Sequence, residues 1–189
     1  MTRAATIATA IYFATIVYAA AALVPASSGH YESSQYEFSV EVPKGLLACV
    51  SDATDHGIDI LLARDLRCED DYEYQPYVDV SANYNVATDA VTPKMLARLY
   101  CRHEKAERTV WLAEWTLGGR PTEGCRQYFK DGRITVQIVT QRKTEPRDSE
   151  RWIDVSASMT TTISRYERDM RVFRQIVRAV RIAPDGPLK

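Results

Sequence analysis

Apolar and polar residues alternate along several stretches of this chain. Tyr36, Phe38, Val40 and Val42 alternate with Glu37, Ser39 and Glu41, which is the period-two signature of a half-buried strand, and Pro43 and Gly45 stop it. Ile58, Ile60 and Leu62 mark a second short strand, and Val78, Val80, Ala82, Tyr84 and Val86 a third. Residues 64–76 between these two are charged, contain Pro76 and read as a loop. The run TVWLAEWTL at 109–117 is rich in strand formers and closes at Gly118-Gly119. Asp131-Gly132 separates residues 125–130 from the alternating segment 133–141, which predicts a hairpin with a two-residue type I′ turn. After a polar loop at 142–151, Ile153, Val155, Ala157 and Met159 alternate again.

The period changes to that of a helix in two places. Thr92-Pro93 starts a helix, Thr as the cap and Pro at the first position, and Met95, Leu96, Leu99, Tyr100 and His103 carry it to about Ala106. Near the end of the chain, Tyr166, Met170, Phe173, Ile176, Val177 and Val180 form an apolar stripe that Pro184, Asp185 and Gly186 terminate. The pattern predicts an α+β fold: a mainly antiparallel sheet of about six or seven strands with two helices packed on it.

The first residues follow a different logic. Arg3 precedes an uncharged, mostly apolar run from Ala4 to Val24, and Val24-Pro25-Ala26 offers small residues for cleavage. We read residues 1–26 as a signal peptide, with an uncleaved signal anchor as the rival because the run approaches bilayer length. Residues 27–34 read as a polar linker, 35–183 as a single domain and 184–189 as a tail. The destination is then the periplasm or the exterior, and the membrane is touched only through an uncleaved N-terminal segment.

In that compartment the four cysteines, Cys49, Cys68, Cys101 and Cys125, are expected as two disulfides. Chain order suggests Cys49–Cys68 and Cys101–Cys125, each closing a modest loop. A zinc site is the competing use of four cysteines, but none lie in a C-x₂-C pair. The formal charge of the 189-residue chain is −1. Residues 1–26 contain one charged side chain, so the remainder is also near neutrality, which gives no support for a nucleic-acid partner.

These features resemble the PsbP-like fold, named for an extrinsic photosystem II subunit and shared by many bacterial secreted proteins. The resemblance rests on Phe38-x-Val40-x-Val42-Pro43-x-Gly45, the middle hairpin, and a last strand followed by Phe173-x-x-Ile176-Val177-x-x-Val180. It covers most of residues 36–182. It implies a largely non-catalytic protein that binds other proteins, and such exported domains include candidates for toxin-neutralising immunity proteins.

Candidate chemistry concentrates between Cys49 and Glu73. Eight acids, including Asp65, Glu69, Asp70, Asp71 and Glu73, stand there against Arg64 and Arg67. With Tyr72, Tyr74 and Tyr77, and with Cys68 as anchor, this loop is the expected partner-binding surface, suited to a basic protein. The bland alternative is a solvated loop whose tyrosines cover the core. Calcium ligation is a further alternative, although the spacing is not that of an EF-hand.

Arg168, Arg171, Arg174, Arg178 and Arg181 recur beside the stripe of the last helix and read as solvating side chains. Trp111 and Trp115 are expected on one face of their strand, more consistent with packing than with display. For catalysis, Cys101 near His103 suggests a thiol nucleophile only if unpaired, and there is no G-x-S-x-G, P-loop or G-x-G-x-x-G motif. No catalytic residue, metal or cofactor is assigned. The reading is an exported non-enzymatic protein-binding protein, an immunity or inhibitor protein that neutralises a toxin or hydrolase in the cell envelope. A secreted hydrolase with an unrecognised site and an envelope-anchored structural module are the alternatives.

Overall fold

The computed structural model describes residues 23–26, 29–51, 55–69, 75–85, 92–144 and 151–186. Its centre is a pair of twelve-residue strands, β9 (Arg133–Thr144) and β10 (Arg151–Thr162), paired antiparallel from end to end. On one side β10 is followed by β6 (Tyr77–Asn85), β5 (Gly57–Leu61), β4 (Leu47–Ser51) and β1 (Leu23–Pro25). On the other side β9 is followed by β8 (Arg120–Tyr128) and then β7 (Arg108–Leu117). A separate three-stranded sheet has the order β11 (Val180–Ile182), β3 (Phe38–Glu41), β2 (His30–Ser33).

The α+β class and the antiparallel pairing expected from the sequence are those observed. The sheet content is larger, with eight strands in one sheet and three in the other.

Consecutive residues of β9 explain the layering, because neighbours in a strand point to opposite faces. Ile138 belongs to the main core, together with Val80, Val155, Ala157, Phe38, Val40 and the α2 residues Phe173 and Ile176. Helix α2 (Tyr166–Ala179) lies against β10, β3 and β7 on this side. Val139 points the other way and packs with Leu96 and Ala97 of helix α1 (Pro93–Tyr100), which rests on β8 and β9. The large sheet therefore has an inner face closed by α2 and the small sheet, and an outer face that α1 covers only in part.

Several boundaries differ from expectation for local reasons. Residues 30–33 are strand, not linker: Tyr31 and Ser33 are buried while His30 and Glu32 are exposed, and the short alternation is hidden among polar residues. Leu23–Pro25, placed in the leader by the sequence, pairs with β4, and the Ala26 N–H donates to Ala48 O at 2.8 Å; residues 1–22 lie outside the described residues. The expected tail is tied down at its start. Arg142 Nε donates to Pro184 O, and Asp185 accepts from the Lys143 N–H and pairs with Arg120.

Helix α1 stops at Tyr100, not near Ala106, because Cys101 caps it and turns into a disulfide. Helix α2 ends at Ala179, and the chain continues as β11 beside β3.

The 131–132 hairpin is present, but its turn is wider than the expected two-residue loop. The Gly132 N–H donates to Phe129 O and the Phe129 N–H to Arg133 O, which leaves a three-residue loop with only Gly132 at positive φ. The two-residue turn with both residues at positive φ occurs instead at Gly118-Gly119, between β7 and β8.

Both disulfides pair as chain order suggested, Cys49–Cys68 and Cys101–Cys125, and all four cysteines are buried. The second joins α1 to the outer face of β8. An eight-residue helix is marginal by itself. Replacing Cys101 and Cys125 together by Ser should therefore lower unfolding stability by about 3 kcal/mol, the amount expected for a loop of this length, measured by denaturant titration. Melting should begin with loss of amide-exchange protection in α1. Unchanged protection there would contradict the stapling role.

Candidate functional site

The acidic loop is fixed at its roots. Cys68 joins Cys49 and Leu61 in a small buried cluster against which Leu47, Leu66 and Tyr77 pack, and the Leu62 N–H donates to Pro76 O at 2.9 Å. Asp65 and Glu69 are exposed. Tyr77 opens β6 and is half-buried, so it serves this cluster more than display. Asp70, Asp71, Tyr72, Glu73 and Tyr74 lie outside the described residues.

A second surface, not singled out by the sequence as a binding site, forms where α1 meets the outer sheet face. Thr92 Oγ1 accepts from the Met95 N–H and starts α1. Leu96, Ala97 and Tyr100 turn inward. Met95, Arg98 and Leu99 then share the outward side at i, i+3 and i+4 spacing, Arg102 follows just past the Cys101 cap, and all four are exposed.

The disulfide brings Cys101 to Cys125, and Cys125 stands opposite Trp111 in the β7–β8 register. Trp111 is therefore placed on the same outer face as α1. Its relative exposure is 54%, with Met95 at 52% and Leu99 at 47%. With Ile163 at 67%, these are the exposed large hydrophobic side chains among the described residues.

The expectation that Trp111 and Trp115 share a face is corrected by a bulge. Leu112 pairs with Gly124 and Trp115 with Thr122, so β7 carries one extra residue between them, and Glu114 adopts φ 61°. One residue is enough to move every following side chain to the other face. Trp115 consequently packs inward on Phe173, with centroids 5.9 Å apart, and beneath Arg174, while Trp111 stays outside.

Other polar groups are engaged in holding elements together. Asp55 accepts from the Tyr31 hydroxyl, the Ser33 hydroxyl and the Gln35 N–H, which ties β2 to the start of β5. Tyr36 lies 2.9 Å from His56 Nδ1, which also approaches Ala82 O. Ser33 thus bonds to the carboxylate and His56 to a tyrosine, so these three do not form a nucleophile–base relay. Tyr100 donates to Asp154, which also accepts from Gln141, fixing α1 to β10 and β9. Burial, and then that carboxylate, raise the tyrosine's ionisation well above its usual range.

His103 stacks edge-on against Phe129 and its neighbour Cys101 is paired, which removes the thiol nucleophile considered from sequence. The arginines of α2 and β11 are solvated as expected: Arg168 pairs with Asp169, and Arg171, Arg174, Arg178 and the β11 residue Arg181 are exposed. Among the described residues no group of three or more His, Cys, Asp or Glu is arranged to hold a metal ion. No described helix is long and apolar enough to cross a membrane.

No protein-family model matches the chain, and no curated protein matches it. Among solved structures it is similar to cyanobacterial PsbP (CyanoP) from Synechocystis sp. PCC 6803, with 12% identity and a TM-score of 0.48, covering 88% of this chain and 96% of that chain. This is a distant likeness to the same PsbP-like fold that the sequence motifs resemble, and it carries no inference about activity.

Elsewhere on the outer face, Asp59 of β5 and Asp79 of β6 stand directly opposite each other. Burial, and then the facing Asp59, push the Asp79 carboxyl from 3.8 up to about 7, against the opposing hydrogen bond from Ser81. The folded state therefore keeps a proton that the unfolded chain releases. This contribution to stability is complete below about pH 3.8 and is lost as pH rises through about 7. Asp79→Asn should be more stable than wild type at pH 8, and the difference should shrink towards pH 4. A difference independent of pH would show that the Asp79 carboxyl titrates alike in the folded and unfolded chain.

Proposed function

We propose that this chain is an exported, non-enzymatic protein-binding protein, of the kind that neutralises a toxin or hydrolase in the cell envelope. The observation that carries this reading is the exposed Trp111–Met95–Leu99 set, held in place by the Cys101–Cys125 disulfide. Aromatic anchors on rigid, braced elements are what protein interfaces spend most of their binding energy on. The apolar leader supports export, and two buried disulfides fit an oxidising compartment. Exposed Asp65 and Glu69 open an acidic stretch of the sequence that runs to Glu73, whose charge would meet basic groups of the partner and steer its approach.

The test begins with capture from periplasmic extract and culture supernatant, followed by identification and purification of the partner. Affinity is then compared across wild type, Trp111→Ser, and the double variant Asp70→Lys with Asp71→Lys. Trp111→Ser should weaken binding by about thirtyfold or more, the loss of one aromatic hot spot. The charge reversals should slow association chiefly at low salt. Equal affinity in all three proteins would overturn the reading.

A further inference from the structure

Strand β7 is the last strand of the eight-stranded sheet and pairs only with β8 among the described residues. At ten residues it is much longer than the strands at the other three sheet edges, β1, β2 and β11. A long outer strand offers a row of backbone donors and acceptors to another chain. The bulge after Leu112 interrupts it, so the regular part is Arg108–Leu112, enough for one short added strand.

Trp111 projects from that regular part, one residue before its end at Leu112. Beside it, the stretch from α1 through its cap, residues 93–102, contains Lys94, Arg98 and Arg102 and no acid. All three cations are exposed, and none has an ion pair among the described residues.

We infer that β7 takes up an acidic, extended segment of the partner protein as an additional antiparallel or parallel strand along Arg108–Leu112. This deepens the proposed function and rests on the same Trp111 face. Main-chain hydrogen bonds to the β7 edge supply affinity, as in other strand-addition complexes. An apolar side chain of the segment lies on Trp111 and the α1 residues Met95 and Leu99. Carboxylates of the segment reach Arg98, in the last turn of α1, and Arg102, just past the Cys101 cap. An anionic lipid surface is the other occupant that basic and apolar residues could attract. It would leave the β7 backbone groups without partners, which is costly in an apolar phase, so the edge favours a polypeptide.

A library of random short peptides displayed on phage is selected on the immobilised full-length, oxidised chain. Enriched sequences should be rich in Asp and Glu around an aliphatic or aromatic residue. A selected peptide should give cross-strand proton contacts to Arg108–Leu112 by NMR. Methylating alternate backbone nitrogens of that peptide should abolish binding in one of the two phases. Arg98→Glu with Arg102→Glu should weaken it by about tenfold, with the amide spectrum confirming an intact fold.

Enrichment of basic or neutral peptides, contacts mapping away from β7, indifference to both methylated forms, or binding only to anionic vesicles would each overturn the inference. The two proposals fail separately. If the native partner needs Trp111 but the peptides bind elsewhere, only strand addition is lost. If acidic peptides add to β7 while the native partner binds wild type, Trp111→Ser and the Asp70→Lys, Asp71→Lys variant with equal affinity, only the proposed function is lost.

Discussion

The pairing of β9 with β10 is the constraint on which the rest of the molecule depends. Its twelve residue pairs run without a shift from Arg133↔Thr162 to Thr144↔Arg151. Because the side-chain period is two, this register decides which residues of every other strand in the sheet face inward. Val136, Ile138, Val155, Ala157 and Met159 are thereby committed to the inner core, and α2 and the small sheet close over them. Gln137, Val139, Gln141, Asp154, Ser156 and Ser158 are left to the outer face. Glycine is required where β8 comes closest to β9. A Cβ on Gly124 would stand 2.0 Å from Gln137 O, so the β8–β9 approach tolerates no side chain there.

Among the described residues the outer face has no second layer of comparable size. Helix α1 is eight residues long and buries mainly Leu96 and Ala97 against Val139. Packing of that extent gives a short helix little hold on a sheet. The Thr92 cap, the Tyr100–Asp154 hydrogen bond and the Cys101–Cys125 disulfide supply the remainder. A helix held by staples and not by coverage leaves apolar side chains in solvent around it. The openness of Met95, Leu99 and Trp111 follows from this economy, and so does the polar, carboxylate-bearing stretch at Asp59 and Asp79 on the same face.

The strands with clean alternation were legible in the sequence, because β3, β5 and β6 each bury an apolar face and β10, buried on both, alternates apolar inner residues with polar outer ones. Both helices were legible through their apolar stripes, and the cysteine pairing through loop lengths. β8 was only partly visible: Glu123, Gly124, Cys125 and Gln127 form no apolar alternation, since the outer partners of β8 are a disulfide and a glutamine that donates to Cys101 O. β2 and β11 are too short to carry a period.

The site was harder to read for the same local reason. The tryptophans four residues apart imply one face, and only the extra residue at the Leu112–Trp115 bulge separates them. Glu114 at positive φ is the backbone trace of that bulge, and Glu is not a residue whose sequence advertises the conformation. The charge of 65–73 drew attention to the acidic loop, while α1, with fewer charges but none of them acidic, stood out only once Trp111 was placed beside it.

Hydrogen–deuterium exchange on the complex with the purified native partner addresses the central claim, that the α1–β7 face is where another protein docks. The account predicts protection on binding over residues 95–112, strongest at Arg108–Leu112. Protection confined to 65–77, with α1 and β7 exchanging as in the free protein, would contradict it.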